Sequence, residues 1–559
     1  MNPRPDREAE RVEPNPITTR PGADRVARPS NGRPSREQPG QYDVAIVGYG
    51  PVGQLLANLL GDRGYRVAVV ERHASVYALP RVAHFDHEIA RILQSLGIRP
   101  DTSPYIEPYD DWYHLRNAQG EVLTRLDWSG RGPSWWNTAN FFTQQELERD
   151  LDARARSHAN VCIFTNHTAT HLDQDSSGVT LTAQQIDKTE AAPRHDQVTI
   201  TARYLVGCDG ANSTIRQLAG LEQVDLGFYY DWLILDMIPD ETVTYDSTAW
   251  QSCDPRRPTT LVPAGPGRRR WEFMALPGED MRALNSTQTA WRLLQPWGLS
   301  PDNSILERHT VYTFQAKWAP EWRSDRVLLA GDSAHLMPPF LGQGMCSGLR
   351  DAHTLAWKLD LVLNGVADET LLSTYGSERL PHVQHLINHS VELGRLICVT
   401  DPDEAAARDE QLKAAAADPT ATAPPPPRLG PGVILKNNPA AGLLSIQAQV
   451  TCGGDTGLFD DLVGRGWLVL TTADQLPDFP PAILELTTAL DLRVLRVGNE
   501  DRDDVDVIDL DGHYATWFEQ LGVNTVVVRP DFYVYAAVDV TELVPALSEL
   551  ERQLDLTGP

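Results

Sequence analysis

Tyr42-Asp43-Val44-Ala45-Ile46-Val47-Gly48-Tyr49-Gly50-Pro51-Val52-Gly53 reads as a buried strand running straight into a glycine turn. A short apolar run bounded by such a turn suits a parallel strand covered on both faces. Residues 51–61 then carry Leu55, Leu56, Leu59 and Leu60 on one helical face. Arg66-Val67-Ala68-Val69-Val70 is a second strand, ending at Glu71. Strand, turn, helix and strand in this order predict a βαβ unit, and hence an α/β chain. Gly48 permits the tight turn, Gly50 lets backbone approach a pyrophosphate, and Gly53 lets the helix pack closely. Pro51 and Val52 open the helix, whose N-terminus faces the phosphates. Glu71, 23 residues after Gly48, is placed for ribose hydroxyls. The unit predicts dinucleotide binding without saying which dinucleotide.

Two later stretches narrow the choice. Val206-Gly207-Cys208-Asp209-Gly210-Ala211-Asn212-Ser213 follows a strand and enters a helix. Arg326-Val327-Leu328-Leu329-Ala330 is another strand. It leads into Gly331-Asp332-Ser333-Ala334-His335-Leu336-Met337-Pro338-Pro339-Phe340-Leu341-Gly342-Gln343-Gly344-Met345 and a long helix. Asp332 and the open helix start at Gly342–Met345 form a polar clamp that favours a ligand able to become anionic, as a reduced flavin does.

The remaining composition sets bounds. The 559 residues exceed one ordinary domain. A formal charge of −27 argues against nucleic acid and anionic membranes as partners. No apolar run is long enough to span a membrane. The six scattered cysteines form no CxxC or metal-ligand pair, and no apolar signal core precedes Tyr42. A reduced, cytoplasmic protein is the expectation. Residues 1–40, rich in Pro and Arg, are expected to be disordered. Residues 401–435, Ala-rich and then Pro-rich, are expected to form a linker or excursion ahead of a domain at 436–559.

The three glycine motifs in this order resemble the class A flavoprotein aromatic hydroxylases. Pro80-Arg81-Val82-Ala83-His84-Phe85-Asp86-His87-Glu88, Cys253-Asp254-Pro255-Arg256-Arg257-Pro258, Arg270-Trp271-Glu272-Phe273-Met274, and Trp467 with Arg529-Pro530-Asp531 look like the 3-(3-hydroxyphenyl)propionate hydroxylase branch. The resemblance implies a Rossmann-like FAD-binding domain of the GR2 type in segments near 41–104, 141–221 and 316–400. A mainly β substrate domain would be interleaved near 105–140 and 222–315, and a thioredoxin-like domain would end the chain. Only Cys452 falls after residue 400, so the last domain has no dithiol. The implied cofactor is FAD, with NAD(P)H (NADH favoured) and O2 as co-substrates. The implied reaction is hydroxylation of a phenol beside its hydroxyl through a C4a-hydroperoxyflavin, on a 3-(3-hydroxyphenyl)propionate-like acid. A polyketide or antibiotic monooxygenase and a non-catalytic flavin-binding regulator are the alternatives, and the resemblance also allows a homodimer.

Carried over residue by residue, Glu71 holds the adenosine ribose, Arg72 and Arg81 lie near the FAD phosphates or adenosine, and Gln144 touches the flavin. Asp209 and Gly210 belong to the middle motif, and Gly331, Asp332, Pro338, Gly342, Gly344 and Met345 to the flavin half. Asp86 is expected to accept the phenol's proton, although the same position suits an acid capping a helix. His84 and His87 are expected to make local hydrogen bonds. Trp135 is read as lining an aromatic pocket or a core, and Arg270 as pairing with a substrate carboxylate.

Overall fold

The computed structural model describes residues 41–75, 79–186, 197–244, 249–417, 426–502 and 504–556. The disorder expected of residues 1–40 lies outside them. Strand Gln41–Val47 pairs in parallel with Gln197–Gly207 on one side and Val67–Val70 on the other. Val161–Phe164 and Val327–Leu329 extend the parallel sheet at its two sides. Val44, Ala45, Ile46, Val67, Ala68 and Val69 have no exposed surface, as strands covered on both faces require. Helix Pro51–Asp62 packs against helices Gln144–Ser157 and Gly344–Leu363.

A second, eight-stranded sheet is built on the long antiparallel pair Val224–Pro239 and Ser304–Trp318. Arg269–Met274 pairs with the first of these, so that Asp236 stands opposite Arg270 and Ile234 opposite Glu272. Alternation along this strand sends Trp271 and Phe273 into a core with Leu233, Leu235, Leu284 and Leu294. Arg270 and Glu272 therefore face the other way. A small sheet of His84–Asp86, Ala139–Phe142 and Ile106–Tyr109 sits beside them.

Two regions differ from the sequence reading. Helices Met281–Leu284 and Thr287–Leu294, capped by Asp280 and Ser286, interrupt a region read as strands. Pro402–Ala417, expected to be linker, is a helix. Its alanines favour helix, Asp401 accepts from the N–H groups of Asp403 and Glu404, and buried Arg408 donates to the carbonyls of Leu396 and Cys253.

Toward the C-terminus, Leu468–Thr471, Arg493–Gly498, Thr525–Val528 and Val534–Val538 form a sheet core. The first two run parallel, and the others pair antiparallel beyond Leu468–Thr471. Helices Pro481–Leu490, His513–Leu521 and Leu543–Leu554 complete a thioredoxin-like arrangement.

His353 lies on helix Gly344–Leu363, its ring 4.9 Å from that of Phe532. Burial, set against the pull of Asp531, lowers its pKa to about 3. The fold therefore favours the neutral ring. This contribution to stability is complete above the ordinary histidine value of about 6.5 and falls as pH drops from there toward 3. Urea midpoints measured from pH 7 to 4 should fall, and His353→Phe should flatten the slope by about 1.4 kcal/mol per pH unit.

Candidate functional site

At the carboxyl ends of the parallel strands, one cavity of about 600 Å³ brings the three glycine motifs together with an aromatic chamber. Gly48, Gly50, Glu71, Arg72 and Arg81 line it. So do Asp209 and Gly210 from the middle motif, and Asp332, Gly342, Gly344 and Met345 from the third. Ligands of open α/β sheets bind at this end of the strands.

Close backbone approach explains the first turn. A Cβ on Gly48 (φ +99°) would stand 2.2 Å from the Cys208 carbonyl oxygen, and one on Gly53 would stand 2.1 Å from that of Gly48. Glu71 braces the turn: its two carboxylate oxygens accept from the Tyr49 and His73 N–H groups, each at 2.8 Å. Asp209 accepts from the Ser213 hydroxyl and the Ile215 N–H and so caps the next helix. Arg216 donates to the carbonyls of Ala211 and Ser333, joining the middle motif to the third.

Asp332 is exposed at the cavity wall. The protein around it raises its carboxyl above the usual range, against the pull of His335 and Arg81. Helix Gly344–Leu363 begins with no side-chain cap, leaving its first N–H groups at the cavity wall. Pyrophosphate-sized backbone approach, an acid for ribose and an uncapped helix start for an anionic ring edge together fit FAD.

Several expected residues do not line the cavity. Pro51 and Gly53 shape the turn. Val52 packs against Gly331, whose N–H donates to Asp351, and the Pro338 carbonyl accepts from Ser390. Gln144 turns toward backbone: its Oε1 accepts from the N–H groups of Arg81 and Val82, each at 2.7 Å, so it holds the Arg81 loop in place. Trp135 is not in the pocket. Its φ of 74° and its edge-on contact with His513 place it against the C-terminal sheet domain.

Asp86 needs correction too. It caps helix His87–Gln94 through the N–H groups of Glu88 and Ile89, and its other oxygen accepts from Gln343 (3.0 Å) and Arg350 (2.5 Å). Burial alone would raise its pKa, but Arg350 and His87 hold the carboxyl well below the usual range. A carboxylate so engaged, and outside the cavity lining, is a poor acceptor for a substrate proton. The capping role accounts for it.

His84, two residues earlier, does reach the cavity. It is 8% exposed and stacks on Trp128 at 5.2 Å. Its Nδ1 lies beside the Gly342 backbone, where a Cβ would stand 2.7 Å away, and neither ring nitrogen has a hydrogen-bond partner of good geometry. Burial lowers its pKa against the pull of Asp86, so the ring is neutral at ordinary pH. Of the local hydrogen bonds expected of it, a poorly aligned one with the Gly342 backbone is present. Trp128 in turn stacks on Tyr113 at 4.7 Å, and Phe141, Phe314 and Phe340 add to the aromatic lining. Sequence reasoning passed over Glu272, which also lines the chamber. The alternation of Arg270-Trp271-Glu272-Phe273 was the signal available for it.

Residues 41–390 match the family described as FAD binding domain, and residues 442–553 the one described as HcaD C-terminal domain. The chain is 36% identical over 522 residues to a probable NADH-specific resorcinol 4-hydroxylase of Rhodococcus jostii, covering 91% of this chain and 94% of that protein. It is 32% identical over 545 residues to a 3-(3-hydroxy-phenyl)propionate/3-hydroxycinnamic acid hydroxylase of Escherichia coli, covering 92% and 95%. Among solved structures, the flavin-dependent monooxygenase PieE with FAD and substrate superposes with a TM-score of 0.74 at 20% identity, over 92% of this chain and 99% of PieE. Aklavinone-11 hydroxylase with FAD and aklavinone gives 0.72 at 24%, over 93% and 100%.

The Gly53–Gly48 approach leaves no room for a side chain. Gly53→Val should purify folded but colourless, with FAD affinity down by about tenfold or more, or about 1.4 kcal/mol. Flavin absorbance per mole of protein, with far-ultraviolet circular dichroism as the check on folding, measures it. An equally yellow variant would remove this turn from the flavin site.

Proposed function

The chain belongs to the FAD-dependent aromatic hydroxylases, and we propose that it adds one oxygen atom of O2 to a small phenol at the ring carbon beside its hydroxyl. In balance, the phenol, O2, NADH and a proton give the diol, water and NAD+. The observation that carries this reading is the joining of three nucleotide-binding motifs to an aromatic chamber in one cavity. Relatives named for hydroxylating resorcinol and hydroxyphenyl-propanoates support the phenolic class.

Bound FAD supplies the reduction of O2 and the transfer of oxygen. The protein's own part is placement, proton handling and exclusion of water. Glu71, Arg72 and Asp332 hold the dinucleotide, and the N–H groups at Gly344 and Met345 favour its anionic state. The chamber's aromatic rings give a phenol stacking surface and keep bulk water away. Both His84 ring nitrogens are covered by protein, so His84 receives the phenol's hydroxyl once its ring turns about the Cβ–Cγ bond. A neutral imidazole can accept that proton, and the ring carbons become more electron-rich as it does. Asp86 positions His84 by fixing the strand end and helix start beside it.

A panel of small phenols tests the reading. At least one should stimulate NADH oxidation by the yellow protein and yield its ortho-diol. Yellow protein that consumes no NADH with any phenol would overturn the reading. His84→Leu should keep FAD but lower hydroxylation by about 10²-fold, with hydrogen peroxide taking a larger share of product. Unchanged coupling in that variant would remove His84 from proton handling.

A further inference from the structure

Glu272 and Arg270 point into the chamber from the same face of one strand, two residues apart. Arg270 is 4% exposed. Its Nε donates to Asp236 at 2.8 Å and its Nη1 to the Arg81 carbonyl at 2.8 Å, while its Nη2 is covered by protein. Among the described residues Glu272 makes no hydrogen bond or ion pair, although the Arg270 charge attracts it; the residues opposite it in the sheet are Ile234 and Thr260. Asp236 lies 4.0 Å from Arg308, whose Nη2 engages the Tyr312 hydroxyl. Two guanidinium groups, Arg270 and Arg308, thus stand with two carboxyls, Asp236 and Glu272. No net positive charge is left over for an anionic substrate.

Resting on the hydroxylase reading above, we propose that this chamber selects a neutral dihydroxybenzene over an aryl carboxylate, and that Glu272 binds the hydroxyl that does not react. A hydroxyl can donate to the Glu272 carboxyl. A substrate carboxylate has no proton to donate and would bring a second negative charge beside Glu272, and like charges at close quarters are disfavoured. Burial, with Asp236 adding to it and Arg270 opposing, pushes the Glu272 carboxyl up to about 7. A group so poorly solvated gains from a hydroxyl donor. His84 and Glu272 then grip the ring at two hydroxyls, with Trp128 and Tyr113 stacked on the same wall.

The test uses the FAD-loaded full chain with resorcinol and with 3-(3-hydroxyphenyl)propanoate. Two readouts are compared: kcat/KM for NADH-dependent hydroxylation and, independent of turnover, Kd by calorimetry. Resorcinol should be favoured by about tenfold or more in both. Glu272→Gln keeps the shape but loses the negative charge, and it should shrink that preference by about tenfold with FAD content unchanged. Tighter binding of the acid by the parent enzyme would overturn the proposal while leaving the hydroxylase reading intact. So would a resorcinol preference that Glu272→Gln does not change. Binding of resorcinol without turnover of any phenol would instead sink the hydroxylase reading.

Discussion

Helix Gly344–Leu363 carries charged side chains deep in the protein, and the fold supplies partners for Arg350, Asp351 and Lys358. Asp351 accepts from the Gly331 N–H (3.0 Å), His335 (2.7 Å) and Arg379 (2.9 Å). Arg350 donates to Asp86, Glu88 and Gln343. Thr354 and Trp357 donate to Asp531, and Lys358 to Glu378. An unmatched charge at such a site costs about 3–5 kcal/mol, so each pairing is close to obligatory. Through these bonds one helix sets the third glycine motif, the strand that presents His84, and the seat of the C-terminal domain. Burial of Asp351 would by itself raise its pKa; His335 and Arg379 hold it below the usual carboxylate range, where it remains an acceptor for the Gly331 loop.

The C-terminal domain acts on the site by support. None of its described residues lines the cavity. Its Asp460 forms a two-bond pair with Arg91 (2.6 and 2.8 Å), Asp461 accepts from Gln94, and the Tyr533 hydroxyl donates to Glu88 at 2.8 Å. All three contacts fall on helix His87–Gln94, which follows directly from the strand bearing His84. Arg529 closes the same interface, paired with Glu378 and Asp531 and almost without exposure. A domain with a single half-buried cysteine and such an interface serves to hold the chamber's frame.

The dinucleotide turn was legible because backbone made it. A Cβ at Gly48 or Gly53 would stand 2.2 or 2.1 Å from a carbonyl oxygen, so only glycine fits at those two positions, and that requirement is written locally in the sequence. Side-chain roles depended on partners far along the chain. Asp86 is decided by Gln343 and Arg350, 257 and 264 residues away, and Trp135 by His513. Within the arginine run, Arg268 pairs with Glu307 and Arg269 with Glu107. Only Arg270 turns inward, and strand alternation alone marks it. The helix Pro402–Ala417 was missed for a different reason: with alanine on nearly every face it has helical propensity but almost no apolar stripe.

This division has a consequence for how the chain relates to its relatives. Reduction of O2 depends on a frame of glycines and helix starts that tolerates little change. The choice of phenol depends on a few side chains at alternate positions of sheet strands, each replaceable without moving backbone. Relatives at 36% and 32% identity over nearly the whole chain carry the names of different phenolic substrates, which is the pattern such a division produces. Within the chamber, charge decides more than shape. Asp236 has already matched Arg270, so the cation that the sequence offered for a substrate carboxylate is committed within the protein, and Glu272 lines the chamber with no hydrogen bond to another described residue. In an aromatic chamber whose cations and carboxyls already balance, one added negative charge outweighs several weak contacts, because a partly desolvated charge is poorly screened.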